Sequence, residues 1–291
     1  MRQLLTLLLL LPLCLFSQTE ESDPILLGKI SKADLQKAPY NVWFDKEYAT
    51  YEIDQSVLMQ LKKARLRDCT VTIFLGTWCG DSHREVPRMM KILEAAGVPA
   101  NRINLVALNS GYGVHKQSPT GEEKDKGIFK VPTFIVSKKN KEINRIVEYP
   151  VASLERDLLT ILSPSAYSPN YRSYPYIIEW VKNGTLNDKN LSLRGLVEQI
   201  RPVTYGAGEI MAAAYVLFCQ GKNQEAVNLC RIASTLYPDT VNRYTCAMIY
   251  SESGEYEEAM VTVKKYLAES TDKKDIDKAL ELYDQIKAKL K

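Results

Sequence analysis

The run "TVTIFLG" (70–76) is β-branched and apolar, and directly after it the apolar spacing becomes that of a helix, with Val86, Met89, Met90, Leu93 and Ala96 on one face as far as Gly97. A strand without polar alternation is buried on both faces, so the sheet that contains it must be covered by further layers. Residues 77–79 then form a strand-to-helix junction at the edge of that sheet. The surrounding pattern agrees. "YATYEID" (48–54) alternates as a strand does, and Asp54 can cap a helix whose stripe is Val57, Leu58, Leu61 and Leu66. Strands are expected at 102–109, 133–138 and 143–149, with a short helical stretch ending in "KGIFK" and a closing helix at 153–162. The order β-α-β-α-β-β-α predicts an α/β unit with a central sheet and helices on both faces.

Trp78-Cys79-Gly80, Pro87 eight residues after the cysteine, and Val131-Pro132-Thr133 ahead of a strand resemble the thioredoxin superfamily over roughly residues 45–163. Trp78-Cys79-Gly80-Asp81-Ser82 with Glu85-Val86-Pro87 is most similar to a branch of bacterial thioredoxin-like proteins. The resemblance implies a thioredoxin-like fold, a catalytic position at Cys79 with Ser82 where the second cysteine would stand, and substrate contacts from Trp78, Gly80, Asp81, Val131 and Pro132. It also implies a cis Pro132 beside the cysteine that receives substrate backbone.

The residues argue for the same chemistry. At a helix start, unpaired N–H groups and the positive end of the helix dipole favour thiolate over thiol at Cys79, and the thiolate is what attacks disulfides. His83 and Arg84 add positive potential and Asp81 opposes it. Ser82 removes internal resolution, because a hydroxyl cannot displace a sulfur from a mixed disulfide. It can still donate a hydrogen bond to the Cys79 thiolate from one turn away. Six residues before Cys79, where many thioredoxins bury an acid, this chain has Ile73. Cys69 lies about seven strand residues upstream, roughly 20 Å at about 3.3 Å per residue, beyond the Cα separation of about 7 Å that a disulfide tolerates.

The chain of 291 residues has room for about two domains. Arg2 precedes an apolar run from Leu4 to Phe16, shorter than the roughly twenty residues a membrane span needs, and Ser17 ends it. Residues 1–17 therefore read as a cleavable secretory signal, residues 18–44 as an N-terminal extension, and the location as secreted or periplasmic, with no integral membrane span after signal removal. Cys14 leaves with the signal. Five cysteines then remain in an oxidising compartment, an odd number, so at least one sulfur is free or intermolecular. With two histidines and no closely spaced cysteine pair, no metal site is expected, nor any organic cofactor. The net charge of +3 comes with scattered lysines, which excludes nucleic acid as the expected partner. The segment 110–127 reads as a solvated insertion, in which His115 is a candidate lip over the site.

"SPSAYSPNYRSYP" (163–175) is a linker by composition, assigned to residues 164–175, and helical patterns occupy 176–291. There Gly221 recurs as Gly254, Ala226 as Ala259 and Ala214 as Ala247, each 33 residues on. Ala214, Leu217, Gly221, Ala226, Ala233 and Pro238 resemble a tetratricopeptide repeat, and the next unit follows in part. This implies an all-α, TPR-like C-terminal domain with a protein partner, and Cys219, Cys230 and Cys246 read as packing residues of it. The leading functional reading is an exported monothiol protein that forms mixed disulfides with client thiols or disulfides through Cys79. A redox-inactive peptide-binding platform of the same fold, and a scaffold for the helical repeats, are the alternatives.

Overall fold

The computed structural model describes residues 24–163 and 166–290. The expected signal segment, with Cys14, lies outside the described residues. The first part of the chain is an α/β unit: β1 (Gly28–Ile30), α1 (Lys32–Leu35), α2 (Asn41–Thr50), α3 (Gln55–Lys63), β2 (Thr70–Leu75), α4 (Gly80–Ala95), β3 (Ile103–Ala107), β4 (Thr133–Lys138), β5 (Lys141–Val147) and α5 (Leu154–Leu162). The five strands form one mixed sheet in the order β1-β3-β2-β4-β5, with β2 and β3 parallel and every other pair antiparallel. The apolar run that marked the sequence is the central strand.

Pleating sends alternate residues of β2 to opposite faces. Val71, Ile73 and Leu75 share a core with buried residues of α2, α3, α4 and α5. Phe74 on the other face meets Val106 and Ile135 and is covered there by Leu108, Ile128 and Val131. Val147 of β5 shares that face and packs into the core of the helical second part of the chain. The segment after β3 contains Gly113, Gly121 and Gly127 at positive φ, and it folds as successive turns without the helical stretch expected before Lys130, which is a first correction. A second correction concerns 48–54, which is no strand. Tyr40, Phe44 and Tyr48 recur every four residues, so α2 ends at Thr50 and buries Phe44 completely in the α/β core, with the Tyr48 ring stacked on it. The first strand is β1, paired with β3 from within the expected N-terminal extension.

The second part of the chain is helical: α6 (Tyr174–Lys182), α7 (Leu193–Ile200), α8 (Ala207–Cys219), α9 (Asn223–Leu236), α10 (Arg243–Glu252), α11 (Tyr256–Glu269) and α12 (Lys273–Lys289). Two hairpins, α8/α9 and α10/α11, turn on Gly221 (φ 74°) and Gly254 (φ 85°). In both, the residue after the glycine donates its N–H to the carbonyl five positions back, Lys222 to Leu217 at 2.9 Å and Glu255 to Tyr250 at 2.8 Å. This is the left-handed cap that satisfies the last carbonyls of a helix. Ala214, Ala226, Ala247 and Ala259 are fully buried, so paired helices approach closely.

The helical core also takes in Phe129 and Val147 from the α/β unit. Tyr174, in the expected linker, is the first residue of α6; it stacks on Tyr171 and meets Phe129 edge-on, both at 5.1 Å. All five described cysteines are free, and all but Cys79 are buried. No helix among the described residues is long and apolar enough to cross a membrane.

Candidate functional site

Cys79 is the N-cap of α4, with extended backbone (φ −104°, ψ 120°) and no side-chain cap on the helix. Its N–H donates to Gly76 O at 3.0 Å, closing the turn off β2, and its carbonyl accepts from His83 N at 3.0 Å as the first bond of the helix. The N–H groups of the first turn are thus left without helical acceptors beside the half-buried thiol. Cys79 Sγ donates to Val131 O at 3.2 Å, and the Val131–Pro132 peptide is cis. This places Trp78, Cys79, Val131 and Pro132 together, although 52 residues separate Cys79 from Val131 in sequence.

Trp78 covers one side of the site. Its Nε1 donates to Leu108 O at 2.8 Å, and the ring lies so close to the backbone that a Cβ on Gly76 would stand 2.6 Å from Trp78 Cε2. Glycine is required there by the ring. The Val131–Pro132 segment is held by Thr133 Oγ1 donating to Lys130 O at 2.7 Å, by Glu148 N donating to Pro132 O at 2.7 Å, and by a 3.0 Å Lys130–Glu148 ion pair.

The remaining sequence candidates divide. Gly80 is exposed, with nothing within 4 Å of where a side chain would begin, so the approach to Cys79 from that side is open. Asp81 is paired with Arg84 at 2.8 Å, and Arg84 also reaches Glu85 at 2.6 Å. The guanidinium charge is therefore met by two carboxylates, which raise its pKa, and is not turned on Cys79. His83 Nε2 donates to Thr77 O at 2.7 Å while its ring stacks on Trp43 at 4.3 Å. Ser82 is fully buried and its Oγ accepts from Gly76 N at 3.2 Å. Among the described residues no hydrogen bond joins Ser82 to Cys79, which corrects the expected donation to the thiolate: the hydroxyl serves the backbone at the end of β2.

Two further residues stand beside the site: His115, expected as a lip over it, and Lys116, which the sequence did not mark. His115 and Lys116 lie in the turn segment after β3, whose neck is closed by Lys116 N donating to Asn109 O at 2.8 Å and Asn109 N to Gln117 O at 3.0 Å. The His115 ring sits 5.7 Å from Trp78 and 5.2 Å from Tyr215 of α8, so it is a lip of the site held from the helical side. Lys116 is only 7% exposed, its ammonium 5.8 Å from the Trp78 ring centre. Gln117 Nε2 donates to Cys219 O at 2.6 Å and Tyr112 OH bonds Glu252, so the segment is fastened to α8 and α10. The expected solvated insertion is thus partly buried between the two parts of the chain. Lys116, between His115 and Gln117 in a turn segment, carries no periodicity that would mark it.

Burial, with the neighbouring Lys116 charge, pushes the His115 pKa down to about 4. Burial likewise pushes Lys116 down to about 8, with Lys130 adding to the effect and Cys79, Glu148 and Cys219 opposing it. Burial raises the Cys69 thiol, and raises Cys230 strongly. No group of three or more His, Cys, Asp or Glu among the described residues could hold a metal ion. Compared with protein-family models, with curated proteins and with solved structures, the chain matches none.

Proposed function

We propose that this chain is an exported monothiol protein of thioredoxin-like type, in which Cys79 forms mixed disulfides with client proteins or small thiols and a TPR-like helical region carries a protein partner. One observation carries the reading. Cys79 is the only described cysteine that is not buried, and it stands at the unpaired N-terminus of α4 against the backbone of Val131. Free amides and the dipole at that end stabilise a thiolate there.

The Cys79 thiolate attacks one sulfur of a client disulfide. The client S–S bond breaks, a Cys79–client S–S bond forms, and the second client sulfur leaves as a thiolate that takes a proton from water. With a hydroxyl at Ser82, release needs an external thiol: it attacks the client sulfur, becomes disulfide-bonded to the client, and returns Cys79 as thiolate. Trp78 and Val131–Pro132 line the approach for an extended client segment, and Gly80 leaves it open.

The test is intact-mass analysis after exposure to a small aromatic disulfide, comparing the natural sequence with Cys79→Ala. A single adduct on Cys79, released by added thiol and missing in Cys79→Ala, is expected. An unmodified Cys79 sinks the redox reading and leaves the surface beside Trp78 and Pro132 as a peptide platform.

A further inference from the structure

We propose that Lys116 is the cation of the Cys79 site: its buried ammonium, carried on a segment clamped by α8, supplies the positive charge that sustains the Cys79 thiolate and draws anionic groups to it. The proposal rests on the mixed-disulfide reading of Cys79 and names what that reading lacks.

A thiolate at Cys79 gives up the Sγ hydrogen bond to Val131 O and faces a carbonyl oxygen, so a cation beside it adds to what the helix terminus supplies. The cations on α4 do not play that part. Arg84 is paired with Asp81 and Glu85, and the His83 ring donates to a backbone carbonyl under Trp43. Lys116 differs in every respect. Among the described residues it has no carboxylate within ion-pair distance, and it is almost wholly out of water. Its Nζ donates to His115 Nε2, while His115 Nδ1 donates to Ser110 O at 3.2 Å, which fixes the neutral ring as its acceptor. Burying an ammonium against a neutral imidazole and an indole face is costly unless a negative charge comes within reach. His115 on its own segment bonds it, and the charges that act on it are those of Lys130 before β4, Glu148 after β5, Cys79 at α4 and Cys219 on α8. Glu148 already pairs with Lys130, which leaves the two thiols as the sites where an unpaired negative charge can form. Of these, Cys79 is the one that solvent reaches.

The experiment is alkylation of Cys79, followed on its own peptide by mass spectrometry, with iodoacetate (anionic) and iodoacetamide (neutral). In both reactions the thiolate displaces iodide to form a thioether, so the ratio of the two rates reports local charge and not mere accessibility. In the natural protein the iodoacetate-to-iodoacetamide ratio should fall as pH rises through about 8, where Lys116 loses its proton. In Lys116→Met the ratio should drop about tenfold at pH 7, the scale of one nearby unit charge. Lys116→Arg should restore it. A reactive Cys79 whose ratio is the same in the natural protein and Lys116→Met overturns this inference alone. A Cys79 inert to both reagents overturns it together with the mixed-disulfide reading.

Discussion

Ser82 Oγ accepts the backbone N–H of Gly76 at 3.2 Å, fully buried beneath the turn that presents Cys79. The residue standing where a second thiol would serve is thus a structural acceptor for the end of β2. Ser82→Ala should cost about 1–3 kcal/mol, because it leaves a buried N–H without a partner. Urea unfolding of the two proteins measures it, and an unchanged midpoint would mean that water or a rearranged turn takes over the bond.

Gly76 is fixed by Trp78 in a different way. A methyl group there would fall 2.6–2.9 Å from three atoms of the indole. Gly76→Ala should displace the ring, lose the Trp78 Nε1 bond to Leu108 O, and cost about 1–3 kcal/mol of overpacking strain. Tryptophan fluorescence should shift in Gly76→Ala, since the indole loses its backbone acceptor. A spectrum and stability identical to the natural protein would contradict the close approach.

The two hairpin glycines should behave as equivalents. Gly221→Ala and Gly254→Ala place a side chain at φ 74° and 85°, the left-handed region, where an L residue costs roughly 1–2 kcal/mol. Because the sites lie in separate hairpins, the double variant should lose close to the sum of the single losses. Denaturant midpoints of all three proteins test this. A loss at one glycine only would mean that the 33-residue spacing is not a structural repeat.

These sites differ in how far the sequence announces them. The junction at Cys79 was legible because two periodicities meet there, a continuous apolar strand and a helix stripe. The recurrence of Gly221 at Gly254 was legible because a left-handed cap has few other solutions. The 48–54 segment misled, since Ala49, Tyr51 and Ile53 alternate with Thr50, Glu52 and Asp54 in a strand pattern while Tyr40, Phe44 and Tyr48 satisfy a helical one, and packing of Phe44 in the core decided between them. Lys116 was invisible for another reason. Its sequence neighbours His115 and Gln117 are held against Tyr215 and Cys219 on α8, about a hundred residues onward, and no local pattern encodes a contact of that range.

His115 provides the pH test. Its ordinary value of 6.5 falls to about 4 in the folded chain, chiefly through burial and then through the Lys116 charge, with the Ser110 bond opposing. Above pH 6.5 the ring is neutral in both states and titrates in neither. As pH falls below 6.5 the unfolded chain takes up a proton that the folded chain refuses, so stability declines until about pH 4 and then levels off. The carboxylates act lower: Glu122, held near 2 first by its Thr120 bond, and Asp34, lowered first by its Lys37 bond, bind protons in the unfolded chain only near 4.5 and 3.8. The window from pH 7 to 5 therefore isolates the imidazole from these two groups. His115→Gln keeps an acceptor for Lys116 and removes the titration, so its melting temperature should fall less between pH 7 and pH 5 than that of the natural protein. Equal falls in both proteins would mean that His115 takes up its proton in the folded state, which would break its bond from Lys116 and set two cations side by side over Trp78.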